Sequence, residues 1–138
     1  MTREATPSIV RFNPPELGTP PRYSQVVEVN AGRIIFVSGQ TALDRDGNVV
    51  GKHDFGAQAD QVFANLATAL HARGCSAANL VKLTVFLTDI GNLGSYREAR
   101  NRFFATVTPQ AAPAVTLVEV SKLYGPDFMI EIEAIAAA

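Results

Sequence analysis

The sequence holds one cysteine, two histidines and no tryptophan in 138 residues. A lone thiol, Cys75, forms no internal disulfide, and Met1 to Pro7 lack a basic-then-apolar leader, so a cytoplasmic location is expected. The histidines are too few and too scattered for a metal site, His53 preceding a helical segment and His71 lying in its last turn. Without a nearby histidine, Cys75 reads as an inert small hydrophobe rather than a nucleophile. No Gly-x-Ser-x-Gly elbow, phosphate loop or dinucleotide fingerprint occurs, so no cofactor is expected. Any catalysis uses water and ordinary side chains. Charge is also sparse, at 18% of residues, with 12 Lys and Arg against 13 Asp and Glu. That is poor ground for binding a phosphate backbone, so nucleic acid is not an expected partner. No apolar run approaches the roughly 20 residues that span a bilayer, which removes a membrane as well.

What is present is a chain that is 47% hydrophobic, rich enough to fold and long enough for one core. A single domain over residues 1–138 is expected. Five of the eight prolines (Pro7, Pro14, Pro15, Pro20, Pro21) fall in residues 1–21, and none lies between Arg22 and Thr108. The front therefore reads as an irregular, Pro-rich arm. Val26, Val27 and Val29, then Ile34 to Ser38, read as two β runs joined by Ala31-Gly32-Arg33, a hairpin. Asp46-Gly47-Asn48 is a turn signal before a short Val49-Val50 segment.

Asp54 stands before Phe55, Ala59, Val62, Leu66 and Leu70, and Gly74 follows, so cap, stripe and stop agree on a helix over 55–73. Val81 to Thr88 alternate, with Val81, Leu83, Val85 and Leu87 on one face and Lys82, Thr84, Phe86 and Thr88 on the other. A second helix is expected from Asn92 or Leu93 to Ala105, its buried stripe marked by Tyr96, Ala99, Phe103 and Val107, with Pro109 and Pro113 ending it. Val115 to Ser121 and Phe128 to Ala136 read as two more strands, separated by Tyr124-Gly125-Pro126-Asp127. This order gives an α+β domain with both helices on one sheet face. The other face is expected to carry Phe86, Val115, Leu117, Met129 and Ile135, which self-association would cover.

Glu131 and Glu133 alternate within an otherwise apolar strand. Either they face an enclosed cavity, where a raised pKa suits a carboxyl to handling water, or they are edge charges that block aggregation.

Several segments taken together resemble a known family. Arg22-Tyr23-Ser24-Gln25, Phe36-Val37-Ser38-Gly39-Gln40, Asp89, Phe103-Phe104, Pro113-Ala114, Val118-Glu119-Val120 and the run Ile130 to Ala136 are similar, in order and spacing, to the RidA (YjgF) reactive-intermediate deaminases. The likeness runs from about Tyr23 to the C-terminus. It implies a chorismate-mutase-like α+β fold, a six-stranded, mostly antiparallel sheet backed by two helices, and a homotrimer with pockets between subunits. It also implies cofactor-free hydrolysis of a small imine or enamine, with Glu131 positioning the attacking water and Tyr23, Ser38 and the Gly39 backbone binding substrate. Expected partners are then a small metabolite and further copies of the chain.

Two positions depart from the family pattern. The arginine that grips the substrate carboxylate, just after the Pro-Ala pair, is Val115 here, and a hydrocarbon offers that carboxylate no partner. A helix position that is often asparagine is Arg97, either a relocated cation or part of a solvated face with Arg100 and Arg102. Thr116 is likewise a ligand-binding hydroxyl or only a β-branched strand residue. The implied function is thus a RidA-like hydrolase whose substrate differs from the usual one, or a trimer that binds a small metabolite without turnover. Family members also labelled endoribonucleases or translation inhibitors fit less well, because the chain lacks a basic, aromatic-studded strand face.

Overall fold

The computed structural model describes residues 8–30, 32–107 and 112–138. Pro7, Ala31 and Pro109, which carried parts of the sequence reading, lie outside the described residues. Two helices and six strands follow in the order β1 (Ser8–Phe12), β2 (Val26–Asn30), β3 (Ile34–Gln40), α1 (Phe55–His71), β4 (Leu80–Leu87), α2 (Leu93–Phe104), β5 (Ala114–Glu119) and β6 (Ile130–Ala137). The α+β class expected from the sequence is what the chain adopts.

Local signals explain both helices. The Asp54 side chain accepts from the Ala57 N–H at 3.1 Å, capping α1. At the other end Gly74 takes φ +72°, while the N–H groups of Gly74 and Cys75 donate to His71 and Leu70 carbonyls. That left-handed exit favours glycine and satisfies carbonyls the helix would otherwise leave open. Between the caps, Phe55, Ala59, Val62, Leu66 and Leu70 are buried as their spacing requires. Along α2, Tyr96, Ala99 and Phe104 are buried, and Phe103 and Val107 pack against the same core. Phe63 of α1 stacks on Phe103 with ring centroids 4.8 Å apart, joining the two helices.

Instead of the single six-stranded sheet that the resemblance implied, the six strands form two sheets: a ribbon of β1 and β2, and a four-stranded sheet in the order β3-β6-β4-β5. β6 is antiparallel to both β3 and β4, whereas β5 runs parallel to β4. Strands β4 and β5 are parallel because α2 carries the chain back between them. Leu83, Val85 and Leu87 of β4 and Ile130 and Ile132 of β6 are wholly inaccessible. They face the helices, so the core lies between one sheet face and α1 and α2.

Three further expectations need correction. The expected hairpin is absent, since β2 pairs with β1 while β3 pairs with β6; long-range pairing displaced a neighbour chosen by proximity in sequence. For the same reason residues 1–21 are not irregular throughout. Ser8–Phe12 is a strand, and the Arg11 guanidinium donates to the Ala78 and Leu80 carbonyls, tying the ribbon to the start of β4. Finally, Val115, Leu117 and Met129 pack against the core rather than lying on the open face. The parallel register sets Val115 beside Leu83 and Leu117 beside Val85, both inward residues. The open face keeps the expected Phe86 and Ile135 and adds Phe36 and Val118, of which Phe36 is 74% exposed.

Candidate active site on the open face of the sheet

The residues away from the helices carry most of the polar groups singled out in the sequence. Glu131 and Glu133 of β6 stand opposite Phe86 and Thr84 of β4. Where β3 passes β6 the register slips, Val37 facing Ala134 and Gln40 facing Ile132. Three residues on β3 thus span the stretch that two span on β6, a bulge at Ser38-Gly39. The bulge lays Gly39 against the Glu131 side chain so closely that a Cβ at residue 39 would fall on the carboxyl, 2.8 Å from its Cδ. Only glycine leaves this carboxyl where it is.

Burial, and secondarily the charge of Glu133, raise the Glu131 carboxyl above its ordinary value. A group whose pKa is raised by folding contributes stability that is complete below its unfolded value and is lost as pH rises through the folded one. Glu131→Gln is therefore expected to raise the thermal midpoint more at about pH 7 than at about pH 4. Melting curves at the two pH values check this, and an equal shift at both would contradict it.

Beside the carboxylates, a concavity of about 350 Å³ is walled by Phe36, Ser38, Lys82, Thr84, Glu133 and Ile135. The Lys82 ammonium donates to the Thr116 hydroxyl of β5 at 2.7 Å. Two carboxyls, an ammonium and the hydroxyls of Ser38, Thr84 and Thr116 therefore share one face. Such a set can position water with a carboxyl of raised pKa and offers a cation to a polar substrate.

Other expected site residues lie elsewhere. Val115 points inward and is half-buried. Tyr23 is 38% exposed, and the next residue, Ser24, is clamped to the carbonyls of Ala112 and Pro113. Tyr23 thus stands beside the chain entering β5. Arg97 is exposed on α2, on the helix side of the sheet. Glu133 lines the concavity directly. Lys82 and Thr84 carried no role in the sequence reading, although their alternation on β4 already set them on this face. Among the described residues no cluster of His, Cys, Asp and Glu is arranged to hold a metal ion.

A mixed sheet with two helices on one side and alternating carboxylates on the other defines a Rid-type α+β protein. Residues 16–138 match the family described as Endoribonuclease L-PSP, and the chain belongs to this family, the YjgF/RidA proteins. Protein DfrA of Myxococcus xanthus is 39% identical over 116 residues, 84% of this chain and 85% of its own. The 2-iminobutanoate/2-iminopropanoate deaminase of Rattus norvegicus is 37% identical, covering 83% of this chain and 78% of its own. Among solved structures, the Rid-family protein YyfB of Yersinia pestis superposes with a TM-score of 0.85 at 30% identity, covering 94% of this chain and 98% of its own.

Proposed function

We propose that the protein is a cofactor-free hydrolase that releases ammonia from a small imine, enamine or related C–N metabolite, with Glu131 handling the water. The observation that carries this reading is the Glu131 carboxyl held over Gly39 with its pKa raised. A carboxyl tuned upward stays able to exchange a proton nearer neutrality, as general acid–base catalysis needs. Kinship to an imine deaminase supports the reaction type. Gly39 lies against the carboxyl, and Ser38, Lys82 and Thr116 supply polar groups on the same face.

Because Val115 is a hydrocarbon turned inward, the usual carboxylate grip is missing and the substrate is expected to differ from that of arginine-bearing relatives. 2-Aminoacrylate formed in situ should therefore release ammonia more slowly than with such a relative. A matching rate would overturn the argument from Val115 and point to Lys82, the cation that shares the open face. Loss of the same arginine also favours a second reading, a binding protein without turnover. Binding of substrate analogues together with an ammonia rate no faster than in buffer would select that reading.

The working unit in this proposal is a homotrimer, with Tyr23 and the open face contributing to pockets between subunits. Phe36, Val118 and Ile34 are exposed in the single chain, an apolar surface that association would remove from water. Light scattering is expected to give three times the 14.8 kDa chain mass. A stable monomer would remove the pocket between subunits.

A further inference from the structure

The chain has three lysines, Lys52, Lys82 and Lys122. Lys52 and Lys122 are exposed, whereas Lys82 on β4 is half-buried and lines the open-face concavity of about 350 Å³. Their partners differ as well. Lys52 lies 3.9 Å from the Asp127 carboxylate, and no ion pair among the described residues involves Lys82. Its amine bonds instead to the Thr116 hydroxyl, at 2.7 Å. A hydroxyl serves an amine in either protonation state, accepting from the ammonium and donating to the neutral nitrogen.

The rest of the concavity supplies what a reacting lysine needs. Lys82 stands opposite Ile135 and Thr84 opposite Glu133, so Glu133 is the diagonal neighbour of Lys82 across the strands. That separation, about 7–8 Å, is within reach of long side chains directly or through one water. A carboxylate there takes the proton that an ammonium sheds before it attacks. The hydroxyls of Ser38 and Thr84 share the wall and suit a polar oxygen, while Phe36 and Ile135 offer apolar surface to a short hydrocarbon group. A volume of about 350 Å³ suits a small molecule.

We propose that Lys82 condenses with a small aldehyde or ketone bearing a short apolar substituent, and holds it in this concavity as a Schiff base. The amine nitrogen adds to the carbonyl carbon, the resulting carbinolamine loses its oxygen as water, and the Lys82 nitrogen is left doubly bonded to that carbon. Water reverses both steps. No oxidant or cofactor enters.

An imine offered to the same amine exchanges by the same route. The Lys82 nitrogen adds to the imine carbon, the bond from that carbon to its original nitrogen breaks, and ammonia leaves. Water then adds to the protein-bound Schiff base, freeing the carbonyl product and restoring the amine. This exchange rests on the hydrolase reading above, whereas condensation with a carbonyl compound does not.

Incubation with butanone and cyanoborohydride, which reduces a Schiff base to a stable secondary amine, tests the condensation without any turnover. Peptide mass mapping then reads each lysine separately, with Lys52 and Lys122 as internal controls. Lys82 is expected to take the label about tenfold faster than either. Label spread evenly over the three lysines, or absent from all, would overturn the proposal. Glu133→Gln should slow labelling of Lys82 about tenfold while sparing the other two. Lys82→Arg keeps the cation and a donor for Thr116 but forms no Schiff base, so ammonia release from an imine should fall about tenfold or more. A purely electrostatic role would leave that rate unchanged. Because labelling is read without ammonia, failure of the hydrolase reading leaves the first test standing, and a protein that releases ammonia with Lys82 unlabelled would sink the Schiff base alone.

Discussion

Glu131→Gln is expected to lower the rate of ammonia release by about 10²-fold or more while the protein remains folded. Glutamine keeps the length and hydrogen-bonding capacity of the side chain but takes no proton, so the substitution separates shape from acid–base chemistry. Gly39→Ala approaches the same carboxyl from the other side. Its Cβ would land on the carboxyl, 2.8 Å from Cδ and 3.1 Å from Cγ of Glu131. These atoms form the mobile end of a long side chain, so the carboxyl swings aside at modest cost to stability. Turnover should then fall although Glu131 is still present. Initial rates and thermal melts on both variants check the pair. If both kept the parent rate and pH profile, Glu131 would be a structural acceptor only.

The largest loss of stability is expected at Gln58, which is wholly buried. Its amide nitrogen donates to the carbonyls of Gly51 at 3.0 Å and Asp127 at 2.7 Å, and its oxygen accepts from the Met129 N–H at 2.9 Å. One side chain on α1 thereby holds the loop before the helix and the turn that feeds β6, the strand bearing Glu131. Leucine nearly matches the volume but leaves the Asp127 carbonyl and the Met129 N–H without partners, each costing about 1–3 kcal/mol when buried, while the Gly51 carbonyl keeps the Asp54 N–H. Gln58→Leu should therefore destabilise the protein by about 3 kcal/mol or more, read from the urea midpoint. A loss under about 1 kcal/mol would mean that water takes over those bonds and that Gln58 is not the tie described.

The parts of the fold legible in the sequence are those written in local chemistry. Asp54, the stripe from Phe55 to Leu70 and Gly74 specify α1 because cap, period and exit lie within one segment. The alternation of β4 is equally local. Strand pairing is not, and there the reading failed. Ser8–Phe12 lies among prolines, and nothing near it announces that β2 will be its partner. Val115 and Leu117 were expected on the open face. Which face a strand presents depends on register, and the parallel pairing to β4 turned both residues inward.

The site was legible to a similar degree. Alternating carboxylates in an apolar strand marked Glu131 and Glu133, but the bulge that sets Gly39 against Glu131 depends on the pairing of β3 with β6. Lys82 carries no signal of its own in the sequence, because its position across from Thr116 exists only once β5 docks. Gln58 sits in the apolar stripe of α1, where a polar residue reads as an interruption. Its partners lie 7, 69 and 71 positions away.

Ammonia release above the spontaneous rate, measured across small imines with and without a carboxylate, tests the hydrolase reading most directly. Acceleration is expected for at least one of them, greatest where no carboxylate has to be held, and it should disappear in Glu131→Gln. Rates equal to those in buffer for every imine offered to the parent protein would contradict the reading and leave a protein that binds its metabolite without consuming it.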